Sequence, residues 1–96
     1  MITENIVLES DLKNKLKHLS IDEGIYVSTM LVSGAEDILE EGYGVRQTIS
    51  ESYDPFTMKI EDSLKTEIKK FCSDRKIRIK DFWNEAAYIA IQKYGE

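Results

Sequence analysis

Ninety-six residues, 42% of them hydrophobic and 32% charged, suffice for one modest globular core and leave little room for a deep enzymatic cleft. One cysteine, Cys72, and one histidine, His18, exclude an internal disulfide and a structural zinc site. The net charge of −5 argues against a polyanion partner, yet residues 1–54 hold four basic groups against eleven acidic ones and residues 55–96 nine against seven, so the halves carry −7 and +2 and any polyanion would meet mainly the second.

The first element is the alternating stretch Asn5-Ile6-Val7-Leu8, whose period of two predicts a short strand with one buried face. Ser10, a good cap residue, opens a predicted helix with Leu12, Leu16 and Leu19 at i, i+4 and i+7, a narrow apolar stripe. A turn at Asp22-Glu23-Gly24 leads into a longer helix that carries Val27, Met30, Leu31, Gly34, Ala35, Ile38 and Leu39 on one face. Gly42, Gly44 and the polar run Gln47 to Ser52 read as a tether. Phe56-Thr57-Met58-Lys59-Ile60 then alternates again, and Asp62 opens a helix with Leu64, Ile68 and Phe71. After a turn at Asp74-Arg75-Lys76, the last helix presents Ile79, Phe82, Trp83, Ala86, Ala87, Ala90, Ile91 and Tyr94. Gly34 and Ala86 hold matching mid-helix places, where a small residue permits close helix approach despite the propensity cost of glycine.

These elements are a repeat. Sliding the chain by 52 aligns residues 4–43 with 56–95 without a gap, with identities at Glu9/Glu61, Leu12/Leu64, Lys13/Lys65, Lys17/Lys69, Asp22/Asp74, Ile25/Ile77 and Ala35/Ala87. The apolar positions agree more fully than the identities, as at Ile6/Met58, Leu8/Ile60, Leu16/Ile68, Met30/Phe82 and Leu31/Trp83. A unit of about 40 residues with one unpaired strand buries too little surface to fold alone. The economical solution pairs the two strands as a ribbon under a shared four-helix core; exchange of strands between two chains is the alternative.

Strand, helix, turn and longer helix in this order resemble the ribbon-helix-helix (Arc/MetJ-type) family, twice over. The second copy carries the resemblance best, in Thr57-Met58-Lys59-Ile60-Glu61-Asp62-Ser63-Leu64 and in Lys76 to Ala86; the first copy, at Asn5 to Leu12 and Gly24 to Ser28, is more diverged. The resemblance implies a mainly α fold with a short two-stranded antiparallel β-ribbon, in which two ribbon-helix-helix repeats form one intrachain pseudodimer. The expected units are residues 1–43, a linker at 44–54, and residues 55–96. It further implies sequence-specific binding of double-stranded DNA by the ribbon in the major groove, with transcriptional regulation, usually repression, as the function.

With Ile6, Leu8, Met58 and Ile60 facing the core, alternation turns Thr3, Asn5 and Val7 outward on one strand and Pro55, Thr57 and Lys59 on the other. The family pattern selects Thr3, Asn5, Val7, Thr57 and Lys59 for base contacts. Lys59 suits guanine O6 and N7, Asn5 adenine, and Val7 or a threonine methyl the thymine methyl, whereas the Thr57 hydroxyl serves either way. A register shifted by one would send Val7 inward at the expense of Ile6 and Leu8. Phosphate contacts fall at the start of each unit's second helix, where free amides favour an anion: Tyr26 and Ser28 in the first copy, Lys76, Arg78 and Lys80 in the second. Tyr26 and Arg78 stand where the family usually has a small hydroxyl cap, and a solvated turn accounts for Lys76 equally well.

No apolar run approaches the roughly 20 residues of a membrane span, and MITENIVLES has no signal-peptide layout, so the expectation is a cytoplasmic protein without a membrane partner. No phosphate loop, nucleophile elbow or supported carboxylate pair is present, which predicts neither enzymatic activity, nor a cofactor, nor a small-molecule substrate. His18 reads as a surface residue, Cys72 as a small hydrophobe and Trp83 as core. Two other roles are open to such a chain: an accessory or architectural factor in plasmid or mobile-element transfer, and an antitoxin-like protein-interaction module. Self-association of chains on adjacent DNA sites is a further expectation.

Overall fold

A computed structural model of the chain describes residues 1–42 and 44–95; Tyr43 and Glu96, which close the two expected units, lie outside the described residues. The elements run β1 (Ile2–Glu9), α1 (Ser10–Glu23), α2 (Val27–Glu41), β2 (Tyr53–Ile60), α3 (Asp62–Arg75) and α4 (Ile79–Tyr94). The fold is thus mainly helical with one two-stranded antiparallel sheet, β1 against β2. In that sheet Asn5 stands opposite Thr57, with Thr3 opposite Lys59 and Val7 opposite Pro55. The central pair is therefore formed by residues 52 apart, the offset at which the sequence repeats.

Both strands are longer than the alternation predicts. The apolar rhythm breaks at Glu4, which faces the same side as Ile6 yet is tied down by Lys65, its carboxylate 3.5 Å from the ammonium nitrogen. Half-buried Ile2 beyond it packs on the core. Strand β2 likewise begins at Tyr53, inside the stretch expected to be tether. The inward residues Ile6, Leu8, Met58 and Ile60 are buried, and the opposite face is exposed, so the register by which Val7 points outward holds.

Helices α2 and α4 cross at the centre of the core. Leu8, Leu16, Met30, Leu31, Ile38, Ile60, Ile68, Phe82 and Trp83 are fully buried around them. Phe82 meets Phe71 and Trp83 edge to face, with ring centroids 5.8 and 5.7 Å apart. Trp83 is core, as its place on the stripe predicts, and its indole Nε1 has no hydrogen-bond partner among the described residues. Gly34 lies against the backbone of Ala86, so the crossing is set by the one residue without a Cβ. His18 is exposed, and burial pushes the Cys72 thiol up to about 11, far from a reactive thiolate.

The helix starts differ from expectation by one residue. Glu9 and Glu61 occupy the N-cap positions without a side-chain capping bond, and Ser10 instead pairs with Ser52, hydroxyl to hydroxyl at 2.7 Å. The C-termini follow the repeat: Gly24 ends α1 with φ +67°, and Lys76, 52 residues on, ends α3 with φ +56°. A left-handed non-glycine residue carries a backbone strain of about 1–2 kcal/mol. Lys76→Gly is expected to raise stability by about 0.5–1 kcal/mol, part of the relief being offset by the freer unfolded chain. A lowered thermal midpoint would show that the lysine side chain contributes more than its backbone strain removes.

Candidate nucleic-acid interface

The outer face of the ribbon consists of three cross-strand pairs, Thr3/Lys59, Asn5/Thr57 and Val7/Pro55, all exposed. Across the middle pair the Thr57 hydroxyl donates to Asn5 Oδ1 at 2.8 Å, which orients the amide and leaves both Nδ2 hydrogens for an outside acceptor. Lys59 sits at one end of the face. At the other end Val7, 37% exposed, stands beside Pro55, a pairing of apolar surface on an otherwise polar strip. Pro55 has no N–H to donate, and its carbonyl accepts from Lys13 Nζ at 3.0 Å. Lys13 was not among the expected site residues; its identity with Lys65 across the repeat was the available signal.

The two helix starts expected to meet phosphate are not alike. Tyr26 is the N-cap of α2, 81% exposed, with half-buried Ser28 following and no acidic residue in the first turn. Arg78 is the N-cap of α4, but its guanidinium folds onto Asp81 of the same turn, Nε to Oδ2 at 3.0 Å and Nη2 to Oδ1 at 3.2 Å. Lys80 Nζ lies 4.4 Å from the centre of the Tyr53 ring, a cation–π contact that holds it beside β2. Lys76 is exposed on the preceding turn. The basic second half therefore spends part of its charge internally, whereas the α2 start in the acidic half is open to an anion.

Asp81 also receives Thr48, one of two residues, with Arg46, that fasten the linker to α4. Thr48 donates to Asp81 Oδ1 from its hydroxyl at 2.7 Å and its amide at 3.0 Å. Arg46 binds Glu85 Oε1 at 3.0 Å and stacks on Tyr88, 4.1 Å from its ring centre. Burial alone would raise the Asp81 carboxyl, but the hydrogen bonds from Arg78 and Thr48, with the Arg78 charge, outweigh it and hold the group below its usual value. A lowered folded-state pKa contributes stability above the unfolded value and loses it as pH falls through the folded one. Asp81→Asn is accordingly expected to be less stable than the parent at pH 7, with the gap closing in urea titrations as pH falls below the ordinary carboxylate range. A gap that persists unchanged in acid would show that the carboxylate charge contributes nothing.

Asn84 completes the attachment of α4 to β1. Buried in the apolar stripe, it accepts from Glu9 N at 2.7 Å and donates to the carbonyls of Val7 at 3.0 Å and Lys80 at 2.8 Å. Sequence reasoning passed over it, although an amide inside an otherwise apolar face was the mark of it. Among the described residues, no group of three or more His, Cys, Asp or Glu side chains is placed to hold a metal ion, and no helix is long and apolar enough to cross a membrane.

The whole is an antiparallel two-stranded ribbon, polar outside with one apolar end, carried on four helices. Comparison of the chain with protein-family models, with curated proteins and with solved structures finds no match.

Proposed function

We propose that the chain is a tandem ribbon-helix-helix protein, an intrachain pseudodimer whose ribbon enters the major groove of double-stranded DNA and reads its sequence, acting as a transcriptional regulator and most simply a repressor. The observation that carries this reading is the ribbon face itself, where exposed Thr3, Asn5, Thr57 and Lys59 line up beside Val7 on adjacent strands. A two-stranded ribbon fits the major groove, and these side chains match the donors, acceptors and methyl groups displayed there. Lys59 to guanine, Asn5 to adenine and Val7 to thymine are the proposed base contacts. Tyr26, Ser28, Lys76, Arg78 and Lys80 are the proposed phosphate contacts. The two strands differ at each facing pair, so the bound site need not be a palindrome. Chains bound at adjacent sites are free to associate.

With a net charge of −5, affinity must come from local cations and not from the overall field. The test is selection of bound sequences from random duplex DNA, repeated with Lys59→Ala and Arg78→Ala. Lys59→Ala is expected to cost about 1–3 kcal/mol and relax preference at one base pair. Arg78→Ala is expected to weaken all sites and to reduce the salt slope by about 1. No enriched sequence at moderate salt would refute specific binding; equal, sequence-independent losses from both variants would refute the assignment of the ribbon face.

A further inference from the structure

The repeat places the two ends of the ribbon in matching positions, but their chemistry differs. Beside the Val7/Pro55 pair a cavity of about 350 Å³ borders the outer face, walled by those two residues and Ile79, with buried Trp83 beneath. Asn5 and Lys80 supply its polar edge. At the opposite end the residues 52 away are Lys59 for Val7, Thr3 for Pro55 and Ser28 for Lys80, so the matching surface carries an ammonium and two hydroxyls.

The cavity is built before anything enters it. Asn84 Nδ2 donates to the Val7 carbonyl at 3.0 Å, which holds β1 against α4, and Lys80 is held over the Tyr53 ring. Pro55 adds a wall of fixed φ with no N–H to offer. Val7 and Ile79 are each 37% exposed, one on the ribbon and one at the first turn of α4, and between them they present methyl groups to whatever covers this end. A polar occupant would give up water for a surface with few partners, whereas an apolar one gains by burial.

We infer that this cavity receives the C5 methyl of a thymine, and that Ile79, outside the ribbon, sets specificity together with Val7 and Pro55. The inference rests on the reading of the ribbon as a major-groove element and deepens it. Base pairs display donors, acceptors and one apolar group in that groove, and the apolar group is the thymine methyl. An apolar cavity on the face that meets base edges therefore selects it. The bound site is asymmetric as a consequence, with thymine at the Val7 end and guanine at the Lys59 end.

The test takes sites selected from random duplex DNA by the full chain and replaces each thymine in turn by deoxyuridine, which removes the C5 methyl alone. At one position the replacement is expected to weaken binding about fourfold, the effect of exposing one buried methyl group. Ile79→Thr keeps a β-branched residue at the helix start and is expected to lower that thymine-to-uracil ratio. Because the ratio compares two DNAs on one protein, a partial loss of folded protein leaves it unchanged. Val7→Lys, which repeats on β1 the residue that β2 has at the matching place, is expected to abolish the ratio and to move the preference at that position to guanine. Enriched sites in which every thymine can be replaced without loss would overturn the methyl assignment and leave sequence-specific binding standing; no enriched sequence at all would overturn both. A ratio that survives both variants would also overturn it, since the methyl would then be read elsewhere. 5-Methylcytosine presents the same methyl beside a donor in place of the O4 acceptor, and its outranking thymine at that position would overturn the assignment to thymine.

Discussion

Gly34→Ala is expected to destabilise the protein by about 3 kcal/mol, at the upper end of the range for overpacking a core. On helix propensity alone the same change would stabilise α2 by up to about 1 kcal/mol. The opposite sign arises because a methyl at Gly34 would run into the carbonyl oxygen of Ala86, within 2.9 Å of its carbon and 3.2 Å of its Cα. These are backbone atoms of α4, and no rotamer change moves them aside. The two helices would have to separate, loosening the packing of Leu31, Ala35, Ala87 and Ala90 on either side. Urea denaturation should show the midpoint falling with little change in slope. Ala86→Gly provides the control: with no clash to relieve, it should lose only about 1 kcal/mol by propensity. A Gly34→Ala variant as stable as the parent would mean that the helices do not approach this closely.

Asn84→Val is expected to destabilise by about 2 kcal/mol, because it strands two part-buried backbone groups worth roughly 1 kcal/mol each. Valine is the residue at the matching position of the first copy, Val32, so this change tests the asymmetry directly. In the native protein the Asn84 amide spans from α4 to the last residues of β1, where Glu9 N and the Val7 carbonyl have no other side-chain partner among the described residues. Valine leaves both groups without a side-chain partner. Lys80, whose carbonyl also accepts from Asn84, keeps the ordinary helical bond. Besides the lower urea midpoint, hydrogen exchange at the Glu9 amide should accelerate while that at Leu16, on α1, follows only the global stability. Unchanged exchange at Glu9 would show that β1 is held there by other means.

Much of this architecture was legible without coordinates. The i, i+4 stripes of Leu12, Leu16 and Leu19, and of Leu64, Ile68 and Phe71, located the shorter helices, because a helix buries what its period places on one side. The same kind of argument turns Val7 outward, since Ile6 and Leu8 together outweigh it. The offset of 52 predicted the order of elements, and the structure adds that two residues at that offset, Asn5 and Thr57, face each other near the centre of the sheet. Ser10 and Asp62 were misplaced by one position as caps, since residue preference marks a helix start only to within a residue or so. Gln47 to Ser52 looked like a free tether because its composition is polar. Polarity describes equally a solvated loop and one bonded to Asp81 and Glu85.

What the sequence by itself determined, then, is the set of elements, their buried faces and the matching of the two halves, all of which follow from short-range periodicity and a constant offset. Only the tertiary structure decided where the charges go. Arg78 turns to Asp81, Arg46 to Glu85 and Lys65 to Glu4, so that cations counted as available for a polyanion are already partly engaged. Only the tertiary structure, too, showed residues 46 and 48 fastened to α4. The physical reason is the same in both cases. Burial of an apolar stripe is governed by neighbours three or four residues away, and Arg78 and Asp81 lie within that range, whereas the partners of Arg46 and Lys65 come from parts of the chain tens of residues distant, and no local pattern records that meeting.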